Sequence, residues 1–176
     1  MPAPSISNIL GFDRKLVVGV GGFVVSNDHS ATLTTYSLGS CLGITIYDPV
    51  SRTGGLLHAM LPDSSINPEK AAAQPGMFVD SGIPALFRAA YELKADKHRI
   101  QICVAGGAQF LDQSGFFNIG QRNYTALRNL LAQHGLVLQA QQVGGLVSRT
   151  LHLQLATGEV RLRSSGHLEE TTLFRG

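Results

Sequence analysis

Residues 41–61, CLGITIYDPVSRTGGLLHAML, constrain the fold more than any other stretch of the chain. Leu42, Ile44 and Ile46 alternate with smaller or polar residues, and Leu57, Ala59 and Leu61 do the same further on. That period of two is the mark of strands. Between them, Asp48 and Pro49 open the segment DPVS with the residues a type I turn favours. The spacing predicts an antiparallel hairpin in which Tyr47 faces Arg52, Thr45 faces Gly54, Gly43 faces Leu56 and Cys41 faces His58. All six apolar side chains then share one face, which must be core; a slip of one residue would bury the polar set instead. A longer loop, PVSRTG, would part Cys41 from His58 by roughly 13 Å along the strands.

Directly opposed residues have Cβ atoms about 5 Å apart, so this register lets a thiol reach an imidazole. A free thiol has a pKa of about 8.5 and is mostly protonated at neutral pH. An imidazole beside it can take the proton and leave a nucleophile able to attack a carbonyl carbon. Gly39 and Ser40 put little bulk beside the sulfur, and the backbone N–H groups of Ser40 and Cys41 can face a developing oxyanion. A third group to orient the imidazole is needed, and spacing does not identify it. On pattern alone, a buried, inert cysteine and a structural histidine are the commoner reading of these residues.

The rest of the chain is strand-rich. Residues 15–27 read as a valine-rich strand broken by a glycine bend, and 31–37 as a threonine-rich strand. Residues 62–76 carry three prolines and read as a loop. A helix is expected from a cap at Asp80 or Ser81 to about Lys94, with Leu86, Phe87, Ala90 and Leu93 on its apolar face. A second helix runs from Asn118 to Gly135 with a stripe of Tyr124, Leu127, Leu130 and Leu131. Strands are expected at 99–107, 136–142, 148–155 and 159–164, the last two joined by a tight turn. Strands cluster at the two ends, which predicts an α+β fold with a helical layer.

At 176 residues the chain reads as one domain, 15–164, with an arm at 1–14 and a tail at 165–176. The net charge of +2 gives no electrostatic case for nucleic acid or an anionic membrane. Two cysteines can make at most one disulfide, and the first fifteen residues do not read as a signal peptide. No window holds the ~20 apolar residues of a membrane span, so a cytoplasmic location is expected.

Other motifs carry less. VGVGGFV has Val24 where a dinucleotide fingerprint needs its third glycine and reads as a strand bend. AGGAQF lacks the lysine of a phosphate loop and reads as a turn. Cys103 belongs to a core strand, and His152 should point away from the core because it alternates with leucines. His29 and His98 lie at solvated positions, as do Arg161 and Arg163, and His134 falls in the last turn of a helix, where positive charge is favoured. The six histidines show no metal-ligand spacing, so no metal or cofactor is expected.

In TYSLGSCLGITIYDP (35–49), GGLLHAMLPDS (54–64), AGGAQF (105–110), NIGQRN (118–123) and GGLVSRTLHLQLATGEV (144–160), the chain resembles the CheD family of chemoreceptor glutamine deamidases. The likeness runs from about 15 to 164. It implies a three-layer α/β/β sandwich, with mostly antiparallel sheets and two main helices. It also implies that Cys41 is the nucleophile, His58 its base, and Thr35, six positions before the cysteine, the missing orienter. Leu146 stands where many relatives carry a polar residue, which alters a surface and not the chemistry.

The resemblance points to hydrolysis of glutamine side chains on the cytoplasmic helices of methyl-accepting chemotaxis receptors, through a thioester on Cys41. It also implies a CheC-type phosphatase as partner and permits hydrolysis of receptor methyl esters by the same route. Two alternatives stand beside it: an adaptor that binds receptors or a CheC-type phosphatase without chemistry, and a different thiol acyl-transfer enzyme. Asp63 and Ser64 either shape a substrate groove or belong to an ordinary loop.

Overall fold

The computed structural model describes residues 14–109 and 117–176. The expected arm before Lys15 therefore lies outside the described residues except for Arg14. Among these residues, ten strands form two five-stranded sheets. The first sheet holds β1 (Arg14–Val17), β3 (Ala31–Leu38), β8 (Arg149–Gln154), β9 (Val160–Ser164) and β10 (Thr171–Phe174), in that order. The second holds β2 (Phe23–Ser26), β5 (Thr53–Ala59), β4 (Leu42–Asp48), β6 (Gln101–Gly106) and β7 (Leu138–Val143). Pairing is antiparallel except for β1 with β3 and β6 with β7. The helices are α1 (Pro68–Ala73), α2 (Val79–Glu92) and α3 (Ile119–Gln133).

Two apolar clusters show why three layers form. Leu42, Ile44, Ile46, Leu57, Ala59, Ile102 and Val104 face Val79, Ile83, Leu86, Phe87 and Ala90 of α2 and Leu127 and Leu131 of α3. Tyr47, Leu56, Cys103 and Ala105, from the other face of the same sheet, meet Leu33, Leu38, Leu151, Leu153 and Val160 of the first sheet. The second sheet is thus covered on both faces, and every residue of β4 and β5 is buried. The order is helices, second sheet, first sheet, the α/β/β sandwich that the family resemblance implied and that strand periodicity alone did not.

The hairpin forms, with a register different from the expected one. Each residue of β4 meets a partner two positions further along β5: Tyr47 pairs with Gly54, Thr45 with Leu56, and Gly43, not Cys41, with His58. A shift of two leaves every side chain on its predicted face, so hydrophobic alternation cannot distinguish the two registers. The turn decides. Asp48 is the last strand residue, paired with Thr53, and the loop is PVSR with Arg52 at φ 53°. The Asp48 carboxylate accepts the Val50 N–H at 2.9 Å and the Asp96 N–H at 2.9 Å, and binds Arg99 at 2.7 Å.

Three local expectations are also corrected. Residues 62–76 hold α1 between two 3₁₀ turns; Asn67 caps α1 by accepting the Lys70 N–H at 3.0 Å, and Pro68 opens it. α2 starts at Val79 with Phe78 as its N-cap, so Asp80 sits inside its first turn and accepts Ser64 N–H and Oγ–H, both at 2.8 Å. His152 does lie opposite the leucine face, yet it is buried: Thr34 lies 2.8 Å from its Nδ1, and Glu170, in the segment before β10, lies 3.2 Å from its Nε2.

Candidate active site

The glycine bend at 19–22 carries the chain from β1 in one sheet to β2 in the other. Along the way, Val18 N–H donates to Thr34 at 2.8 Å and so fixes the bend against β3. Gly21 N–H donates to the His58 carbonyl at 2.8 Å, and the His58 N–H donates to Gly22 at 3.0 Å. The bend therefore spans the gap between the sheets at His58. Because His58 shares a face with Leu56, its ring points between the sheets, where Thr35 of β3 points back toward it.

Thr35 Oγ1 lies 2.7 Å from the Val18 carbonyl oxygen and 2.7 Å from His58 Nδ1. A carbonyl oxygen can only accept, so the single hydroxyl hydrogen goes to Val18. The hydroxyl oxygen then accepts a hydrogen from Nδ1, which places the ring proton on Nδ1 and a lone pair on Nε2. His58 is 1% exposed and Thr35 is 0% exposed, so water does not compete for this arrangement. Nε2 is buried and makes no hydrogen bond to any described residue. A buried acceptor without a partner costs about 1–3 kcal/mol, so such an atom calls for a chemical explanation.

Cys41 is half-buried, in the loop that leads from β3 into β4. It precedes Gly43, the cross-strand partner of His58, by two residues and therefore lies on the same side of the hairpin. Diagonal neighbours of this kind have Cα atoms about 7–8 Å apart and Cβ atoms somewhat closer, within reach of two side chains that extend toward each other.

The loop that carries Cys41 is tied down through its carbonyls. Gly39 accepts Ala108 N–H at 2.8 Å, Cys41 accepts Gly107 N–H at 2.9 Å, and Ser40 accepts Asn123 Nδ2 at 3.0 Å. Among the described residues, the N–H groups of Ser40 and Cys41 donate to no backbone carbonyl. Gly106 must be a glycine: its φ is 116°, and a Cβ there would sit 2.2 Å from the Cys41 carbonyl oxygen.

Burial raises the Cys41 thiol above its ordinary pKa, and its own backbone N–H offsets this only in part. Burial also lowers the His58 imidazole. The two shifts favour the uncharged forms together, a thiol beside a neutral ring at rest. Cys103, on β6, is pushed up by burial to about 11, is fully buried and forms no disulfide. Asp63 caps the 3₁₀ turn at 64–66 by accepting the Ser65 N–H at 2.8 Å, and Ser64 is held by Asp80, so both secure the loop after β5. No group of three or more metal-ligating side chains occurs among the described residues.

Sequence reasoning missed the Val18 carbonyl, the Gly21–Gly22 backbone and Asn123. A glycine-rich bend between two strands was a visible signal for the first two. Asn123 closes the NIGQRN segment of the family resemblance and shares a helix face with Gly120, but neither signal gave it a role.

The chain is similar to proteins of one family over most of its length. The family described as CheD chemotactic sensory transduction matches residues 60–164, a span beginning two residues after His58. A protein of Syntrophus aciditrophicus named "Probable chemoreceptor glutamine deamidase CheD 1" is 45% identical over 86% of this chain and 94% of its own. Proteins named "Probable chemoreceptor glutamine deamidase CheD" from Solibacter usitatus and Pyrococcus abyssi are 42% and 38% identical, over 89% and 85% of this chain and 93% and 91% of theirs.

Proposed function

The chain belongs to the CheD family, and from that membership we propose that it hydrolyses glutamine side chains of chemoreceptors to glutamate, with Cys41 as nucleophile, His58 as base and Thr35 as the group that orients the base. The observation that supports this best is the unpartnered Nε2 of His58, held as a lone-pair acceptor by the Thr35–Val18 relay on the side of the hairpin that carries Cys41.

In this reading the resting thiol loses its proton to Nε2 as sulfur attacks the carboxamide carbon. The carbonyl oxygen takes up negative charge opposite the N–H groups of Ser40 and Cys41. Nδ1 keeps its proton and its hydrogen bond to Thr35, which stabilises the imidazolium. The imidazolium passes the Nε2 proton to the departing nitrogen, the C–N bond breaks, and ammonia leaves a thioester on Cys41. Nε2 then takes a proton from water, whose oxygen attacks the thioester carbon. The tetrahedral intermediate collapses, the C–S bond breaks with return of a proton to sulfur, and glutamate is released. No described helix is long and apolar enough to cross a membrane. Action on the cytoplasmic helices of receptors would place the protein in the cytoplasm, and family membership makes a CheC-type phosphatase the partner to assay first.

The test is to incubate the purified protein with chemoreceptor cytoplasmic fragments and map glutamine-to-glutamate conversion by peptide mass spectrometry. Conversion at defined glutamines supports deamidation. Tight receptor binding with every glutamine intact would instead make the protein an adaptor.

A further inference from the structure

We propose that Asn123 of α3 is a positioning residue that sets the distance between Cys41 and His58; this deepens the deamidase reading above and rests on it. Asn123 is fully buried, and its Nδ2 donates to two carbonyls at once, Ser40 at 3.0 Å and Met60 at 3.0 Å. Ser40 immediately precedes the nucleophile, and Met60 follows the base by two residues. One amide group therefore joins the loop carrying the thiol to the end of the strand carrying the imidazole.

The chemistry of the clamp specifies asparagine. Both partners are carbonyl oxygens, so both need hydrogens, and a primary amide supplies two from one nitrogen. Aspartate offers none when ionised, serine offers one, and leucine fills the space with neither. The oxygen end of the amide is buried and makes no hydrogen bond to any described residue. The side chain thus accepts an unsatisfied acceptor to keep both donors on the clamp, a cost that close packing alone would not select.

The helix beneath is built to hold this amide in place. Gly120 lies one turn before Asn123 on the same face, and a Cβ there would fall 2.4 Å from the Gly107 carbonyl oxygen and 2.7 Å from that of Ala108. With no side chain at 120, α3 rests directly on the 107–108 segment, whose N–H groups hold Cys41 and Gly39. Helix, glycine turn and nucleophile loop form one rigid block, and Asn123 is its only described side-chain hydrogen bond to Met60. A misplacement of about 1 Å between reacting groups can lower a rate on the order of 10²-fold, which is what loss of the clamp should do.

The experiment compares wild type with Asn123→Leu, Asn123→Asp, His58→Ala and Cys41→Ala in two assays: deamidation of a chemoreceptor fragment, and iodoacetamide alkylation of Cys41 across pH. A folded Asn123→Leu protein should lose on the order of 10²-fold in kcat with KM unchanged. Its alkylation profile should move toward that of His58→Ala, because the sulfur no longer has the ring beside it. A residue serving only fold stability would lower Tm and leave that profile in place. Should Asn123→Leu fail to fold, Asn123→Asp, of the same shape and without donors when ionised, is read in the same way. A folded variant with wild-type kcat and wild-type alkylation profile overturns the positioning role while leaving the nucleophile reading intact. Deamidation surviving in Cys41→Ala overturns the nucleophile reading, and the alkylation profiles still decide whether Asn123 couples thiol to ring.

Discussion

Thr35 of one sheet and His58 of the other are joined by a 2.7 Å hydrogen bond across the interior of the sandwich, and that bond selects the tautomer of the ring. The hydroxyl hydrogen is committed to Val18, so Thr35 acts on the imidazole as an acceptor. Thr35→Val keeps the shape and removes the acceptor. The expected result is a kcat lower by on the order of 10²-fold with KM held. Stability should fall by about 1–3 kcal/mol, since Nδ1 and the Val18 oxygen both lose a buried partner. Thr35→Ser should recover most of both. Steady-state kinetics and denaturant titration check this.

The acid limb of activity reports the resting state of the pair. Burial lowers His58 below its ordinary 6.5, so the ring remains neutral until the pH has dropped beneath that value. The kcat/KM profile should show its acid midpoint on the low side of 6.5. A midpoint above 6.5 would contradict a ring held neutral by burial.

Stability should follow the same histidines. His152 is lowered by burial, against an opposing pull from Glu170 and with help from Lys15, Arg163 and Arg161. Between the depressed folded values of His58 and His152 and the ordinary 6.5, the unfolded chain binds more protons than the folded one. Stability is therefore full above 6.5 and declines as the pH falls through that window. Urea titrations of wild type and His152→Gln measure it, and the variant should lose part of the acid sensitivity.

Gly106 and Gly19 make a contrasting pair. An alanine Cβ at 106 would meet the Cys41 carbonyl oxygen at 2.2 Å, whereas one at 19 would meet nothing within 4 Å. Gly106→Ala should destabilise by about 2 kcal/mol or more and abolish activity by displacing the loop that carries Cys41. Gly19→Ala should stay within about 0.5 kcal/mol of wild type. Thermal unfolding and activity assays separate the two.

Asp48 holds the hairpin register. Burial on its own would raise its carboxyl, but hydrogen bonds from Arg99 and from the Val50, Asp96 and Ser51 N–H groups hold it at about 2. The stability it contributes is present above the ordinary 3.8 and is lost as the pH falls toward 2. Asp48→Ala should cost on the order of 3 kcal/mol at neutral pH, through the unpaired N–H groups and the loss of the Arg99 ion pair. Comparing pH-dependent unfolding of the variant and wild type gives both the magnitude and the window.

Much of this architecture was readable in the residues because it depends on local patterning. Leu42, Ile44 and Ile46 announce a strand, and Leu127 and Leu131 announce a helix face; both lie where their period places them. The register of the hairpin was not readable, because pairings two residues apart bury the same side chains. The choice rested on long-range bonds from Asp96 and Arg99 to Asp48. The thiol and imidazole were visible from the start, but their framework was not. Val18, Gly21 and Asn123 act through backbone groups or an amide donor, and neither periodicity nor composition marks those. His152 alternated with leucines as an outward residue should, and its contacts to Thr34 and to Glu170 of the C-terminal segment are long-range ones that alternation does not carry.

The most direct test of Cys41 as nucleophile is the rate of ammonia release from a chemoreceptor fragment by wild type and by Cys41→Ala, with Cys103→Ala as the control. Cys103 is buried between the sheets, so its replacement should leave the rate within a small factor of wild type. Loss of activity in Cys41→Ala by on the order of 10³-fold or more is the predicted result. Release of ammonia by folded Cys41→Ala at the wild-type rate would contradict it.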